Sequence, residues 1–365
     1  MAGGGQGEGE PDIMTTVKII GATGYGGLGM MEFLLRHPEF TVSAVAATQD
    51  VGKPLSAVWP YLEGFCDLPI LDADSEEFAN APADAVICST PDGVGQLRAG
   101  AELAAGRKFI DYSGDFRFNT PELYAEYATR IGKDPVHKAP ELLPESVYGL
   151  SELHRDEIKN ARLIGNPGCF AVSCILGFAP AVKCGLVELD WLVCDCKTGI
   201  SGAGKKASQT YHYPERYDNM NAYRLTGHQH VMEIERELSA VSGREVRVTF
   251  TPQVAPMTRG IMSCLYGRLA RGADQRKAVD CYREFYKNDG FVLVKDMKQS
   301  ASTSDVRGCN RCLVTVAADE RTGMFRVVSH IDNLVKGQAG SAVQNLNIMF
   351  GYPEHLGLDQ PGSHP

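Results

Sequence analysis

Along the first half of the chain, short apolar runs alternate with stretches of helical periodicity. Thr16-Val-Lys-Ile-Ile20 is a β-branched run, Gly21-Ala-Thr-Gly24-Tyr-Gly26-Gly27 follows it directly, and helical spacing takes over from Leu28 to Leu35. That order predicts a strand, a glycine turn and a helix. Further buried strands are predicted over Thr41 to Ala47, Ala85 to Ser89 and Lys108 to Asp111. Strands alternating with helices at this spacing build a parallel, doubly wound sheet, so the fold class is α/β with an N-terminal Rossmann domain.

The pattern changes at Cys169. A long apolar helical stretch follows it, and then longer strands are predicted over Trp191 to Thr198, Glu245 to Thr251, Gly260 to Leu269, Cys312 to Val316 and Met324 to Ile331. Helical stretches near 230–240 and 274–287 interrupt them. Such a run of strands predicts a mixed or antiparallel sheet, hence an α+β second domain. Gly340 to Met349 is again helical and is expected to return to the first domain. The expected division is a leader over 1–13, a dinucleotide-binding domain over 14–168, an α+β domain over 169–336 and a returning helix and tail over 337–365.

At 365 residues the chain has room for two cores, and its net charge of −9 argues against nucleic acid or an anionic membrane as partner. An anionic substrate would need local Arg or Lys. The leader is Gly-, Glu- and Pro-rich, too polar to offset the entropy of ordering, and lacks the marks of a secretory or transit signal. Eleven cysteines without a disulfide framework point to a reducing compartment, and the cytoplasm is expected. Cys194 with Cys196 and Cys309 with Cys312 are read as unlinked thiols, and no metal site is expected.

A glycine turn between a buried strand and a helix sets backbone N–H groups against a pyrophosphate. Gly21, Thr23, Gly24, Tyr25, Gly26 and Gly27 are therefore candidate cofactor contacts, with Ser89 and Pro91 at the carboxyl end of a later strand. The second strand ends in Thr48-Gln49 rather than in an acidic residue, and Lys53 lies just beyond. That leans to NADP with Thr48 at the ribose, although Asp50 would serve NAD.

The segment Ile164-Gly-Asn166-Pro-Gly168-Cys169-Phe170 places a thiol between a tight turn and a helix. A helix N-terminus favours the thiolate, the nucleophilic form, and its N–H groups stabilise a developing oxyanion.

Beyond these generic patterns, the chain resembles N-acetyl-γ-glutamyl-phosphate reductases almost end to end. The resemblance is carried by the glycine turn, Ile110-Asp-Tyr-Ser-Gly-Asp-Phe-Arg117, Val147-Tyr-Gly-Leu150, Gly165-Asn-Pro-Gly-Cys169 and Lys197-Thr-Gly-Ile-Ser-Gly-Ala-Gly204. Gly227-His-Gln-His230 with Glu233-Ile-Glu235, Pro256-Met-Thr-Arg-Gly260 and Ile331-Asp-Asn-Leu-Val-Lys-Gly337 continue it. Tyr112, where the family often has leucine, and Val231-Met232, where it has a prolyl segment, are departures.

The resemblance implies NADPH-dependent reduction of an acyl phosphate through a thioester on Cys169, in arginine biosynthesis, by a homodimer or homotetramer in contact through the second sheet. Inorganic phosphate is the other product. His228 and His230 become candidates for the proton transfers, with His230 favoured because it opens the predicted helix. Arg117 is the first choice for the phosphate, oriented by Asp115, followed by Arg259 and Arg224. Ser113 and Lys197 are placed on the substrate side. Asn166 either donates to the thioester oxygen or shapes the turn, and the Ser201 to Gly204 loop is either an anion nest or a plain turn. Asn333 lies at the nicotinamide end or only joins the domains. The competing readings are the aminoadipyl-phosphate reductase of lysine biosynthesis, a more distant aspartyl-phosphate reductase, and a non-catalytic dinucleotide sensor.

Overall fold

Residues 14–298 and 301–363 are described by a computed structural model of this protein, and the leader expected over 1–13 lies outside them. The first sheet contains β1 (Thr15–Ile20), β2 (Phe40–Ala47), β3 (Ile70–Asp72), β4 (Ala85–Cys88), β5 (Lys108–Asp111), β6 (Ser146–Tyr148) and β7 (Leu163–Gly165). Its order is β3-β2-β1-β4-β5-β7-β6, with every neighbouring pair parallel. Successive strands depart from β1 in opposite directions, so a crevice opens between β1 and β4 at their carboxyl ends. Sequence reading missed β3, β6 and β7, each only three residues long and too short to show a period.

The second sheet holds β8 (Val187–Thr198), β9 (Asn221–Ala222), β10 (Val248–Val254), β11 (Ile261–Leu269), β12 (Val292–Lys295), β13 (Cys312–Asp319) and β14 (Met324–Ile331). Its order is β12-β13-β14-β11-β8-β10-β9. Parallel pairing of β8 with β10 and of β12 with β13, among antiparallel neighbours, makes it mixed. Along β8 the buried Leu192, Cys194 and Cys196 alternate with the more exposed Trp191, Val193, Asp195 and Lys197, as the two-residue period of a strand requires.

The cysteine helix, Cys169–Lys183, is the hub of the molecule, with every residue from Phe170 to Val182 buried. A helix apolar all round needs cover on all sides, and it packs on β11, β14 and the histidine helix His230–Ser242. Gly177 admits Leu265, whose Cδ1 lies 2.2 Å from where a Cβ would stand. Pro180 has no N–H, so the Leu176 carbonyl loses its helical donor; the Tyr286 hydroxyl donates to it at 2.5 Å, and Tyr282 donates to Gly177 O at 2.6 Å.

Cys194, Cys196, Cys309 and Cys312 are free thiols. Those two pairs are unlinked as expected, while elsewhere Cys184, capping the cysteine helix, is disulfide-bonded to Cys281 of the helix Gln275–Phe285, a pairing that sequence reading did not foresee. These two stand 97 residues apart in sequence, so spacing carries no signal of the pairing. The carboxy-terminal helix, Gly340–Phe350, packs on the glycine-turn helix Tyr25–Leu34 and on the helix Ser151–Asn160 of the first domain. Among the described residues no helix is long and apolar enough to cross a membrane.

Candidate active site

The glycine turn is built for close approach. Gly21 has φ +88°, and a Cβ there would stand 2.1 Å from Ser89 O; one on Gly26 would stand 2.3 Å from Ser89 Oγ, and one on Gly27 2.4 Å from Gly21 O. Gly21 and Gly27 thus serve strand, turn and helix packing, while Gly24, Tyr25 and Gly26 line a cavity of about 450 Å³ at the carboxyl ends of the first sheet. The N-cap of the glycine-turn helix is Gly24, which has no side chain to cap it, and no acidic residue stands in its first turn, so among the described residues its first N–H groups remain available to an anion. These residues fit a dinucleotide.

Ser89, Pro91, Ser113, Arg117 and Asn333 line the same cavity. Thr48 and Thr23 do not, and Thr48 is exposed beyond β2. The Lys53 ammonium lies 2.7 Å from Asp50 Oδ1, so the two residues that favour different cofactors pair with each other.

Cys169 is the first residue of its helix and stands where two cavities meet: the one just described, and one of about 330 Å³ lined by Thr198, Tyr211, Tyr223, Arg224, His228 and Val254 among others. His230 borders both; His228 borders only the second. The imidazole of His230 lies against the turn, its Nε2 2.2 Å from where a Cβ on Gly168 would stand, so only glycine fits there. On the other side, a Cβ on Gly337 would come within 2.7 Å of Cys169 Cβ. Gly337 belongs to a π-helical turn, Val335–Ala339, held by a buried ion pair between Lys336 and Glu152 at 2.6 Å.

A buried carboxylate that sequence reading did not single out organises this turn. Glu233 Oε1 accepts from Arg117 Nη1 at 3.0 Å, and Oε2 accepts from the Tyr148 hydroxyl at 2.8 Å and from the Gly168 N–H at 2.9 Å. In the sequence it stood only as part of the block Glu233-Ile-Glu235 that carries the family resemblance, with no role assigned. The consequence for Arg117 is a correction. Asp115 does not orient it, since Asp115 accepts instead from the N–H groups of Gly93 and Gln96. Arg117 Nε donates to Asn166 O at 2.8 Å and Nη2 to Tyr112 O at 2.7 Å. With every guanidinium nitrogen engaged and its charge offset by Glu233, Arg117 braces the cysteine turn rather than standing free for phosphate.

Other expectations also resolve. Asn166 shapes the turn: Nδ2 donates to Gln338 O at 3.1 Å, and Oδ1 accepts from Asn345. Lys197 points to the open face of the second sheet, pairs with Asp195 and borders neither cavity. Arg259 pairs with Asp332 at 3.1 Å and lies outside both cavities as well. Asn333 ties the Ser201 loop down, accepting from Gly260 N at 2.7 Å and donating to Ser201 Oγ at 3.0 Å. Ser113 donates to Asp111 at 2.5 Å. Arg224 differs from Arg117 and Arg259. It has no ion pair among the described residues, donates only to Gln229 Oε1 at 2.6 Å, and holds the left-handed φ of +43° on the rim of the second cavity.

Electrostatics depart from the simple helix-terminus expectation. Burial pushes the Cys169 thiol up to about 11, against the opposing pull of the Phe170 N–H and the Arg117 charge. Burial, together with the neighbouring His230, drives His228 down to about 2, and burial likewise holds His230 well below the usual imidazole range. The resting site is therefore a neutral thiol beside neutral imidazoles. His228 Nδ1 accepts the His230 backbone N–H at 3.2 Å, which leaves the His228 proton on Nε2. His230 Nδ1 is buried without a partner among the described residues. No group of three or more His, Cys, Asp or Glu side chains among them is placed to hold a metal ion.

Residues 16–161 match the family model for the semialdehyde dehydrogenase NAD binding domain, and residues 169–333 match that for the semialdehyde dehydrogenase dimerisation domain. The chain is 41% identical over 347 residues to an N-acetyl-γ-glutamyl-phosphate reductase of Symbiobacterium thermophilum, covering 95% of this chain and 98% of that one. It is 40% identical over 342 residues to the enzyme of that name from Bacillus cereus, covering 94% and 97%. Among solved structures, aspartate semialdehyde dehydrogenase II of Vibrio cholerae superposes with a TM-score of 0.70 at 16% identity, covering 93% of this chain and 98% of that one. The Candida albicans aspartate semialdehyde dehydrogenase with NADP does so at 0.64 and 16%, covering 92% and 98%. At such identity these structures speak to the fold.

Proposed function

The chain belongs to the N-acetyl-γ-glutamyl-phosphate reductase family, and from that premise we propose that it reduces N-acetyl-γ-glutamyl phosphate to N-acetylglutamate 5-semialdehyde and phosphate, using NADPH, in arginine biosynthesis. One observation carries the mechanism: Cys169 stands at the junction of two cavities with His230 bordering both. The dinucleotide takes the cavity over the glycine turn, and the acylamino acid takes the other.

Because thiol and imidazole are both neutral at rest, the thiol proton passes to His230 as sulfur attacks the acyl carbon, rather than before. Phosphate leaves and a thioester remains. Bound NADPH supplies a hydride to the thioester carbon. The thiohemiacetal alkoxide left by that addition expels the sulfur and becomes the aldehyde as the His230 imidazolium returns to sulfur the proton it took in the first step. His228 supports His230 through the hydrogen bond to its backbone. The N–H groups at the start of the cysteine helix face the developing oxyanion.

Of the basic residues offered for the substrate, Arg224 lines the second cavity and has no acidic partner among the described residues, and we assign it the substrate carboxylate. We prefer NADP to NAD because β2 ends in Thr48-Gln49 with Lys53 nearby. We take the enzyme to be cytoplasmic and to assemble as a homodimer or homotetramer through the open face of the second sheet.

Purified protein should reduce NADP with N-acetylglutamate 5-semialdehyde only when phosphate is present. The semialdehyde longer by one methylene should be favoured about 10–200-fold less. Full turnover by Cys169→Ser, or no acyl adduct on the Cys169 peptide in quenched mixtures where a control thioester survives, would sink the mechanism.

A further inference from the structure

The dinucleotide cleft of this acidic protein is poor in usable positive charge. Arg117 and Lys205 are the basic residues that line it, and Arg117 is committed to Glu233. Lys205 comes from the second domain. The Ser201 to Gly204 loop before it is pinned at its base by Ser201 N donating to Thr258 O at 3.1 Å and by the Asn333 amide on Ser201 Oγ. Gly204, with φ +83°, then turns the chain out over the first domain. There the Lys205 ammonium rests 3.8 Å from the centre of the Trp59 ring. Trp59 is itself fixed to the glycine turn, its Nε1 donating to Ala22 O at 3.3 Å, with the Tyr25 ring 6.1 Å away. Lys205 makes no ion pair or side-chain hydrogen bond among the described residues, and its ammonium rests on an indole face alone among them.

We propose that Lys205 is a cofactor ligand supplied across the cleft by the catalytic domain, parked on Trp59 and transferred to the dinucleotide pyrophosphate held at the glycine turn. This rests on the dinucleotide reading of that cleft and deepens it. Lys205 is exposed and Trp59 half-buried, and an exposed ammonium held only by an indole face loses less on leaving it than a charge-assisted hydrogen bond to phosphate returns. The second phosphate source in this chemistry is the leaving group of the substrate. Pyrophosphate is the assignment because Trp59 anchors the ammonium beside Ala22 and Tyr25 rather than beside Cys169.

The test is calorimetric titration of wild-type, Lys205→Gln and Lys205→Arg protein with NADP⁺, together with the KM for inorganic phosphate in the oxidative reaction. Lys205→Gln should weaken NADP⁺ binding by about tenfold or more and flatten its salt dependence, while Lys205→Arg keeps most of the affinity and the KM for phosphate stays put. Unchanged affinity in Lys205→Gln would overturn the proposal. So would a raised KM for phosphate with NADP⁺ affinity intact, which would hand Lys205 to the leaving group. Wild-type protein that fails to bind NADP⁺ would instead overturn the reading of the cleft.

Discussion

Two strand–turn–helix units of the first sheet, on strands separated by β4 and β5, use the same local grammar to opposite ends. After β1, the turn Gly21 to Gly27 opens onto a cavity, and its N-cap, Gly24, has no side chain to cap the helix. After β7, the turn Asn166 to Cys169 is closed, its Gly168 N–H bonded to a buried carboxylate and its glycine backed by an imidazole. An open helix start accepts a ligand's negative charge, whereas a closed one fixes a reacting atom. In the second unit burial outweighs the helix terminus, so the thiol stays protonated at neutral pH.

The largest blow to this contrast should come from Glu233→Ala. It leaves the Arg117 charge buried without its partner and should cost about 3–5 kcal/mol of stability, read as a lowered denaturation midpoint. If Glu233→Ala unfolds at the wild-type midpoint, the closed turn does not depend on that carboxylate.

Gly168→Ala should be almost as severe, but on turnover. The new Cβ displaces His230, and kcat should fall about 10²–10³-fold while NADP⁺ affinity, measured by titration, holds. Equal loss in both quantities would mean that the two turns are not independent.

Gly26→Ala attacks the open turn. Crowding Ser89 and Gln338 should weaken NADP⁺ binding about tenfold, with the alkylation rate of Cys169 unaffected.

The smallest effect should be on the pH dependence of stability. His228 is kept neutral in the folded state and takes up a proton in the unfolded state below its ordinary value, about 6.5. Stability is therefore complete above that pH and drops as the pH falls, by about 1.4 kcal/mol per pH unit from this residue. His228→Asn should flatten the slope between about pH 6 and pH 4 by that amount. In the same unliganded protein, Cys169 alkylation should climb with pH toward about 11 rather than level off near neutrality.

The glycine turn was legible because glycine spacing, a β-branched run and a helical period sit next to one another in the chain. The cysteine turn was legible as a location but not as an environment. Its charge partners come from Tyr148 and Glu233, whose pairing depends on how the histidine helix seats against the cysteine helix. Arginine assignments fared worst. Arg117, Arg224 and Arg259 have the same side chain and comparable loop settings, so their partners distinguish them: Glu233 for the first, Asp332 for the third and, among the described residues, no carboxylate for the second.

The sequence by itself determined the strands long enough to carry a period, the helices of the two domains, the cysteine at a helix start and the family to which the chain belongs, because each is written in neighbouring residues. Tertiary structure decided which charges are spent and which are free, that the thiol rests protonated, that Cys184 meets Cys281, and that Lys205 reaches Trp59. Those outcomes depend on burial and on contacts between distant segments, and neither is encoded in local spacing.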